Sequence, residues 1–163
     1  MSPWWRDVGS TVAEEFSDLP SISQVVRIVV RLSLAAILGG LLGFEREQSG
    51  KSAGVRTHML VALGSALFVL IPEQVGVKIT DISHVLHGVI AGVGFLCAGT
   101  IIKGKDADEV QGLTTAAGIW LTAAIGVAAG LGREASAVLS ALLALIILSL
   151  VPRVASLFER RRK

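Results

Sequence analysis

The sequence predicts an all-α fold: a polytopic membrane protein in which an N-terminal amphipathic helix precedes a bundle of five transmembrane helices. Of its 163 residues, 52% are hydrophobic and only 17% are charged, which is too apolar for an ordinary soluble domain. The charges are also segregated, and four long runs contain no Asp, Glu, Lys or Arg: residues 32–44, 82–102, 113–132 and 135–152. Such runs are typical of helices that cross a lipid bilayer.

Three regions follow from this pattern. We expect an interfacial helix over residues 1–20, a transmembrane domain over residues 21–152 and a basic cytoplasmic tail over residues 153–163. No polar stretch is long enough to form a separate soluble domain. The single cysteine, Cys97, excludes an internal disulfide.

The first segment has the pattern of an amphipathic helix. Pro3 suits a first helical turn, and Pro20 ends the run. The apolar side chains recur at helical spacing: Trp4, Trp5, Val8, Val12, Phe16 and Leu19. We expect this helix to lie in the membrane interface with both tryptophans as anchors. A disordered tail is the alternative.

Five membrane helices follow, and their expected ranges are 25–44, 57–71, 84–102, 113–131 and 135–151. The capping-box spacing of Ser21 and Gln24 places the start of the first helix, and Pro72 ends the second, which is short for a full span. Glycines recur at spacings of three and four on the first, third and fourth helices, which predicts close backbone packing. Alternatively, some of them expose backbone groups along a solute path. The fifth helix has no glycine and is expected to face lipid or a second protomer.

The distribution of Lys and Arg predicts the orientation of the chain. Five crossings place the two ends on opposite sides, and cytoplasmic loops carry the excess of basic residues. One side holds only Arg6, Lys78 and Arg133, with Arg27 and Arg31 near it. The other side holds Arg46, Lys51, Arg56, Lys103, Lys105, Arg153, Arg160, Arg161, Arg162 and Lys163. We therefore expect the amino terminus outside and the basic tail in the cytoplasm.

A charged turn connects the first two membrane helices and contains Glu45, Arg46, Glu47, Lys51, Arg56 and His58. Because the turn is short, we expect Glu45 and Arg56 to lie side by side at the mouth of the bundle. Such a pair can hold an intracellular gate or dock a partner. Alternatively, the turn is a solvated loop whose charges set the topology, which explains Lys51 well.

Arg31 lies about two turns inside the first membrane helix, at ~1.5 Å of rise per residue. An intramembrane arginine is a candidate functional residue. Its long stem also permits the guanidinium to reach the outer interface, as expected for Arg27. Glu73 and Asp81 lie on the same side of the membrane and are its candidate partners.

The remaining polar motifs give weaker predictions. Asp106, Asp108 and Glu109 can hold a hydrated Mg²⁺, but the adjacent lysines favour a solvated loop. His84 and His87 have the spacing of a metal pair without a third ligand nearby. Residues 99–105 approach a phosphate loop, but Asp106 occupies the Ser/Thr position, so this motif is rejected. We expect no resident metal, no cofactor and no enzymatic activity.

Two threonines mark the entrance of the fourth membrane helix. Thr114 and Thr115 follow Gly112 directly. Their hydroxyls can satisfy backbone carbonyls of the helix. Alternatively, they line a polar vestibule opposite Thr100.

Four stretches together resemble the MgtC/SapB family of bacterial membrane proteins. They occur in the family's order and read RLSLAAILGGLLGFERE (31–47), AGVRTHMLVALGSAL (53–67), GVGFLCAGTII (92–102) and GLTTAAGIW (112–120). The resemblance implies a multi-pass protein of the bacterial inner membrane. It also implies functional positions at Arg31, Glu45, Arg46, Arg56, Thr57, His58, Thr114 and Thr115.

The same resemblance implies a role in growth at low Mg²⁺, in virulence and, for some members, in restraint of the F-type ATP synthase. Many members carry a cytosolic carboxy-terminal domain, and we expect this chain to be a short form without it. His84 and Cys97 depart from the family pattern, which tends to have Arg and Gly there.

Two functional hypotheses result. In the first, the protein is a non-enzymatic regulator that modulates Mg²⁺ or energy homeostasis by binding another membrane complex, such as the ATP synthase or a cation transporter. In the second, it is a small ion transporter or channel for Mg²⁺, another cation or protons. We expect a homo-oligomer, since five short helices enclose little volume, and we expect no nucleic-acid partner.

Overall fold

The structure is a computed structural model that describes residues 4–15, 17, 21–103 and 110–160. Its elements are α1 (Trp4–Glu15), α2 (Ile22–Gln48), α3 (Val55–Gln74), α4 (Ile79–Ala98), β1 (Ile102–Lys103), β2 (Val110–Gln111), α5 (Leu113–Gly130) and α6 (Glu134–Arg160). The two strands are antiparallel and pair only two residues each. Among the described residues, five helices (α2 to α6) are long and apolar enough to cross a membrane. The predicted all-α polytopic fold is confirmed.

The chain divides into two compact units, one ending at Val30 and the other beginning at Arg31. The first unit contains α1 and the start of α2. No residue of α1 is buried, and the rings of Trp4 and Trp5 meet edge to face with centroids 6.1 Å apart. Ser21 caps α2 as predicted, because its Oγ accepts a hydrogen bond of 3.3 Å from the backbone N–H of Gln24. The helix of this segment is confirmed, and its place in the interface stays a prediction. The predicted apolar positions Phe16 and Leu19 and both flanking prolines lie outside the described residues.

Several helix ends differ from the predicted ones. Pro72 and Pro152 were expected to end helices, but both lie inside them, and α6 continues to Arg160. A proline removes one backbone hydrogen bond, and near the end of α3 few later turns depend on it. The third membrane helix was expected to continue to residue 102, but α4 stops at Ala98, and residues 102–103 pair with residues 110–111 as strands. The acidic residues predicted as a solvated loop, Asp106, Asp108 and Glu109, lie outside the described residues.

Alanine and glycine bring α5 into contact with α3 at backbone distance. A Cβ added at Gly126 would lie 2.8 Å from the Cα of Ala62, and one added at Gly130 would lie 2.8 Å from the Cα of Ala66. Both pairs repeat after four residues, so two small-residue stripes face each other. α5 also packs on α4 and α6, which makes it the central helix of the second unit. The main core cluster contains Ala35, Leu38, Leu42, Ala62, Ala66, Ile125, Ala129, Ala137, Ala141 and Ala144.

Not every glycine is used for packing within the chain. Gly39 and Gly43 on α2 approach the α3 backbone closely, as predicted from the small-residue spacing. Gly88 and Gly92 on α4 share that spacing, yet an added Cβ at either position would meet nothing within 4 Å. For α4 the prediction of close packing is therefore wrong within this chain.

Candidate functional site

The predicted functional residues fall into two groups in the structure. One, the Arg31 cluster, consists of Arg31, Glu73, Glu134 and the carbonyl of Gly130. The other, the His58 end, contains Glu45, Arg46, His58 and the first turn of α5.

Arg31 lies at the point where α3 and α5 end and α6 begins. Its Nη1 donates hydrogen bonds to Glu73 Oε2 at 2.6 Å and to the Gly130 carbonyl oxygen at 3.0 Å. Its Nε lies 3.8 Å from Glu134 Oε1, within ion-pair range but too far for a hydrogen bond. The Arg31 side chain is only 12% exposed, whereas that of Glu73 is 40% exposed. The sequence predicts that Arg31 is paired, with Glu73 as a candidate partner, and the structure contains this pair.

The local backbone explains how the guanidinium reaches a helix end. Gly132 has a φ of +69°, and the N–H of Arg133 bonds to the Ala128 carbonyl at 2.8 Å, as in a Schellman termination of α5. A Cβ at Gly132 would collide with the guanidinium of Arg31. Arg31 therefore supplies a positive charge to the carbonyl end of α5, where the helix dipole favours it. The cluster fastens α2 to the ends of α3 and α5.

Glu45 pairs with its sequence neighbour rather than with Arg56. The guanidinium of Arg46 contacts Glu45 Oε2 through Nε and Nη2, and Ser49 Oγ donates to Glu45 Oε1 at 3.0 Å. Arg46 is 3% exposed, so this pair is a buried element of the bundle. Arg56 is exposed and makes no ion pair with the described residues. Among the described residues there is thus no Glu45–Arg56 ion pair, and their expected position side by side stays a prediction.

The start of α3 explains the position of Arg56. Glu47 Oε2 accepts a hydrogen bond of 3.1 Å from the backbone N–H of Val55, the first residue of α3. A carboxylate at this place satisfies an otherwise free helix donor and complements the helix dipole. Thr57 is half-buried in the same first turn, while Arg56 points outward.

His58 is fully buried and bonds to a residue that sequence reasoning did not identify. Its Nδ1 lies 2.7 Å from Thr122 Oγ1, and that hydroxyl donates its hydrogen to the Gly118 carbonyl at 2.8 Å. Because the single hydroxyl hydrogen is used there, Nδ1–H is the donor to Thr122. Nε2 is then a buried acceptor without a partner among the described residues. His58 is a polar element within the membrane-spanning part of the fold.

The two threonines at the start of α5 face different surroundings. Thr115 is buried and lines a cavity of about 420 Å³ together with Thr100, which agrees with the polar vestibule proposed from the sequence. Thr114 is exposed and lines a smaller groove of about 170 Å³ with His58, Leu42 and Leu148. The structure thus separates the adjacent residues into two sites.

The remaining candidates do not form a metal site among the described residues. His84 and His87 are exposed, and His87 Nδ1 lies 2.6 Å from the Ser83 carbonyl. Within the described ranges, no group of three or more His, Cys, Asp and Glu side chains lies together. The buried thiol of Cys97 donates to the Ala116 carbonyl at 3.1 Å.

Sequence reasoning missed Thr122, Gly130 and Glu134. Thr122 is 64 residues from His58, and the Gly130 carbonyl is 99 residues from Arg31. A threonine in an apolar helix usually bonds to its own backbone, so Thr122 gives no distinctive signal. The i+4 spacing of Gly126 and Gly130 indicates close packing, but it does not indicate which helix is the partner.

The geometry belongs to a helical membrane domain with a capped, charge-paired end and a buried histidine. A model of the MgtC family matches residues 32–157. This range includes the whole His58 end and every residue of the Arg31 cluster except Arg31 itself. The chain belongs to the MgtC family. The family predicted from the four sequence stretches is thus confirmed.

Relatives of this MgtC-family chain come from several bacteria. Protein SrpB of Synechococcus elongatus is 46% identical over 113 residues, covering 63% of this chain and 62% of the relative. YhiD of Escherichia coli strain K12, whose name proposes a magnesium transporter, is 39% identical over 127 residues, or 74% of this chain and 58% of YhiD. Protein MgtC of Brucella abortus is 44% identical over 101 residues, or 62% of this chain and 41% of that protein.

The chain spans only part of these relatives, between 41% and 62% of their length. No solved structure matches it. Its five candidate spans and its family identify it as a multi-pass bacterial membrane protein.

Proposed function

We propose that this MgtC-family protein is a non-enzymatic regulator in the bacterial inner membrane. It modulates Mg²⁺ or energy homeostasis by binding another membrane complex, such as the F-type ATP synthase or a cation transporter. Its amino terminus is outside and its carboxy terminus is cytoplasmic, in accordance with the positions of Lys and Arg. The observation that carries the proposal is an unfilled groove between α3 and α4.

The groove has the shape of a site for another helix. It encloses about 360 Å³ and is lined by Ser65, Phe68, Val85, Gly88, Val89, Gly92, Val93 and Leu96. Gly88 and Gly92 lie one turn apart, and nothing fills the space above them. Elsewhere in the chain, Gly126 meets Ala62 at backbone distance, so the same residue types already join two helices here. Since lipid gives no hydrophobic drive for association, such close packing is a main source of affinity between membrane helices.

Ser65 adds a polar contact to this apolar groove. It is 3% exposed, and its hydroxyl makes no hydrogen bond within the described part of the chain. A hydroxyl of this kind can bond across a helix–helix interface. The groove therefore offers both a small-residue surface and one directional contact to a partner helix.

The relatives support the link to magnesium. YhiD carries a name that proposes magnesium transport, and it is related to most of this chain. The pairing of Arg31 with Glu73 supports a regulator, since this ion pair stabilises a contact between two helices. The lipid bilayer is the medium of the interaction.

The test replaces Gly88 or Gly92 by Leu, which fills the groove. Tagged full-length protein is purified from bacterial membranes, and recovery of ATP synthase and cation-transporter subunits is measured by immunoblot. We expect both variants to lose the captured complex while remaining folded. Gly94→Leu is the matched control, because Gly94 also faces open space on α4 but does not line the groove.

Three results would contradict the proposal. They are wild-type capture by Gly88→Leu and Gly92→Leu, equal loss of capture by Gly94→Leu, and failure of wild-type protein to recover either complex. Light scattering of the purified protein then decides whether a second copy occupies the groove. A homo-oligomer that dissociates in Gly88→Leu would replace the hetero-complex as the occupant.

The second candidate function is ion transport by an oligomer. It is favoured by the polar cavity at the His58 end and by the name of YhiD. The test is cation and proton flux into proteoliposomes that contain the purified protein. Flux no greater than in empty vesicles, across Mg²⁺ and pH gradients, would exclude this function.

A further inference from the structure

Helix α5 begins without a side-chain cap. Its N-cap is Gly112, with a φ of +89°, and its first intrahelical bond runs from the Ala116 N–H to the Gly112 carbonyl at 2.8 Å. The N–H groups of Leu113, Thr114 and Thr115 therefore have no partner within the helix. Together they form the positive end of an 18-residue helix. A Cβ at Gly112 would collide with the Thr100 carbonyl, so glycine is needed for this entry.

A second, independent observation at this point is the hydroxyl of Thr115. The residue is 3% exposed and makes no hydrogen bond within the described part of the chain. Other threonines in this fold donate to carbonyls of their own segment: Thr122 to Gly118 and Thr100 to Cys97, each at 2.8 Å. Thr115 lines the cavity instead. Its hydroxyl has no partner among the described residues and borders this open space.

That cavity holds about 420 Å³ and is lined by Gly50, Lys51, Ser52, Thr100, Gln111, Gly112 and Thr115. Lys51 is exposed and forms no ion pair with the described residues, so its ammonium is available at the rim. The carboxylates of the α2–α3 connection are already engaged: Glu45 contacts Arg46, and Glu47 accepts from Val55 N–H. Among the described residues that line this cavity there is no carboxylate, and Lys51, Ser52 and Thr115 offer donors.

We propose that this cavity binds a phosphate group. Free backbone N–H groups at a helix N-terminus are a recurrent phosphate site, and hydroxyls and an ammonium complete it here. The donors of α5, Thr115, Ser52 and Lys51 exceed what the two oxygens of a carboxylate can accept. The same donors repel a metal cation. None of the residues that line this cavity lines the groove between α3 and α4, so the test of the phosphate site is independent of the partner complex.

The phosphate group has two possible sources, a free phosphate compound or the headgroup of an anionic lipid. The full chain is purified in non-ionic detergent, and its thermal stability is measured during titration with inorganic phosphate, with chloride at equal ionic strength as the control. A second arm adds phosphatidic acid, with phosphatidylcholine as its control. We expect saturable stabilisation by phosphate that chloride does not reproduce. Competition between phosphatidic acid and phosphate indicates a lipid headgroup, and binding of phosphate alone indicates a free compound.

Variants test the donors individually. Thr115→Val removes one hydroxyl at nearly constant volume, and Lys51→Ala removes the ammonium; each is expected to weaken binding about tenfold. Thr115→Ser keeps the hydroxyl and is expected to retain binding, which separates loss of the donor from loss of the fold. Thr114→Val and Lys78→Ala are the matched controls, because Thr114 lines the other groove and Lys78 precedes α4.

The proposal is overturned by wild-type protein that shows no saturable binding in either arm. It is also overturned if Thr114→Val weakens binding as much as Thr115→Val does. Stabilisation by chloride equal to that by phosphate would likewise show a general salt effect and no site.

Discussion

Arg31 Nη1 lies 2.6 Å from Glu73 Oε2, and this hydrogen-bonded ion pair joins α2 to α3 through two residues that are 42 positions apart in sequence. The same nitrogen donates to the Gly130 carbonyl at the end of α5. Three helices are thereby connected through one guanidinium. The pair has the stronger geometry of the two acidic contacts, because Glu134 is 3.8 Å away from Nε.

The first prediction concerns this pair. Arg31→Met is expected to lower the free energy of unfolding by about 3 kcal/mol, because it leaves the Gly130 carbonyl and Glu73 without their donor. Glu134→Gln is expected to cost less than about 1 kcal/mol, since that carboxylate is 45% exposed and makes no hydrogen bond to Arg31. Denaturant unfolding in detergent measures both. Arg27→Met, at an exposed position of α2, is the control, and an equal loss there would contradict the prediction.

The second prediction concerns the contact between α3 and α5. Gly126→Ala is expected to destabilise the protein by about 1–3 kcal/mol, because the new methyl would lie 2.8 Å from the Cα of Ala62. Gly64→Ala on α3 is the matched control, since its added methyl meets nothing within 4 Å and glycine is the poorer helix former. Melting temperatures in detergent report the difference. Similar temperatures for the two variants would show that the helices do not meet as described.

The third prediction concerns the buried histidine. Thr122→Val is expected to cost about 1–3 kcal/mol, because it leaves the Nδ1–H of His58 buried without an acceptor. His58→Leu removes the other half of the bond and also leaves Thr122 bonded to Gly118. The double variant is expected to be more stable than the sum of the two losses implies, which indicates coupling between residues in contact. Additive losses in the unfolding free energies would be inconsistent with the hydrogen bond.

The fourth prediction concerns orientation. In a Cys97→Ala background, Val75→Cys is expected to react with an impermeant maleimide in cells with a permeabilised outer membrane. Ser49→Cys is expected to react only after the inner membrane is opened. Both positions are exposed in the connections that follow α3 and α2, on opposite ends of α3. Labelling in the reverse order would invert the topology that the basic residues predict.

The spans were predictable because a bilayer imposes a composition that is visible locally. A helix in lipid satisfies its own backbone and needs a charge-free run of sufficient length. The four long runs in this chain correspond to α2, α4, α5 and α6, and a shorter run over 57–72 corresponds to α3. The ends were less predictable. Whether a proline ends a helix depends on what replaces the lost hydrogen bond, and at Pro72 and Pro152 the helix continues.

The site was predictable where the alternatives were few. Arg31 had two acidic candidates in the connection after the second membrane helix, Glu73 and Asp81, and Glu73 is its partner. Glu45 had Arg46 beside it as well as Arg56 nearby, and the prediction chose Arg56 as its neighbour, whereas the ion pair forms with Arg46. Thr122 has no local feature that relates it to His58. Gly88 and Gly126 have similar small-residue spacing, yet only Gly126 is packed within the chain, because spacing does not specify which face a neighbour covers.

Ala62 has a consequence for how this family can vary. The Ala62 side chain is fully buried. A Cβ added at Gly39 would lie 2.9 Å from the Cβ of Ala62, and a Cβ added at Gly126 would lie 2.8 Å from the Cα of Ala62. Three backbones therefore converge on one methyl group. Glycine has no smaller replacement, so only Ala62→Gly can make room for a larger residue at Gly39 or Gly126, and no change at those two glycines can make room for a larger residue at Ala62.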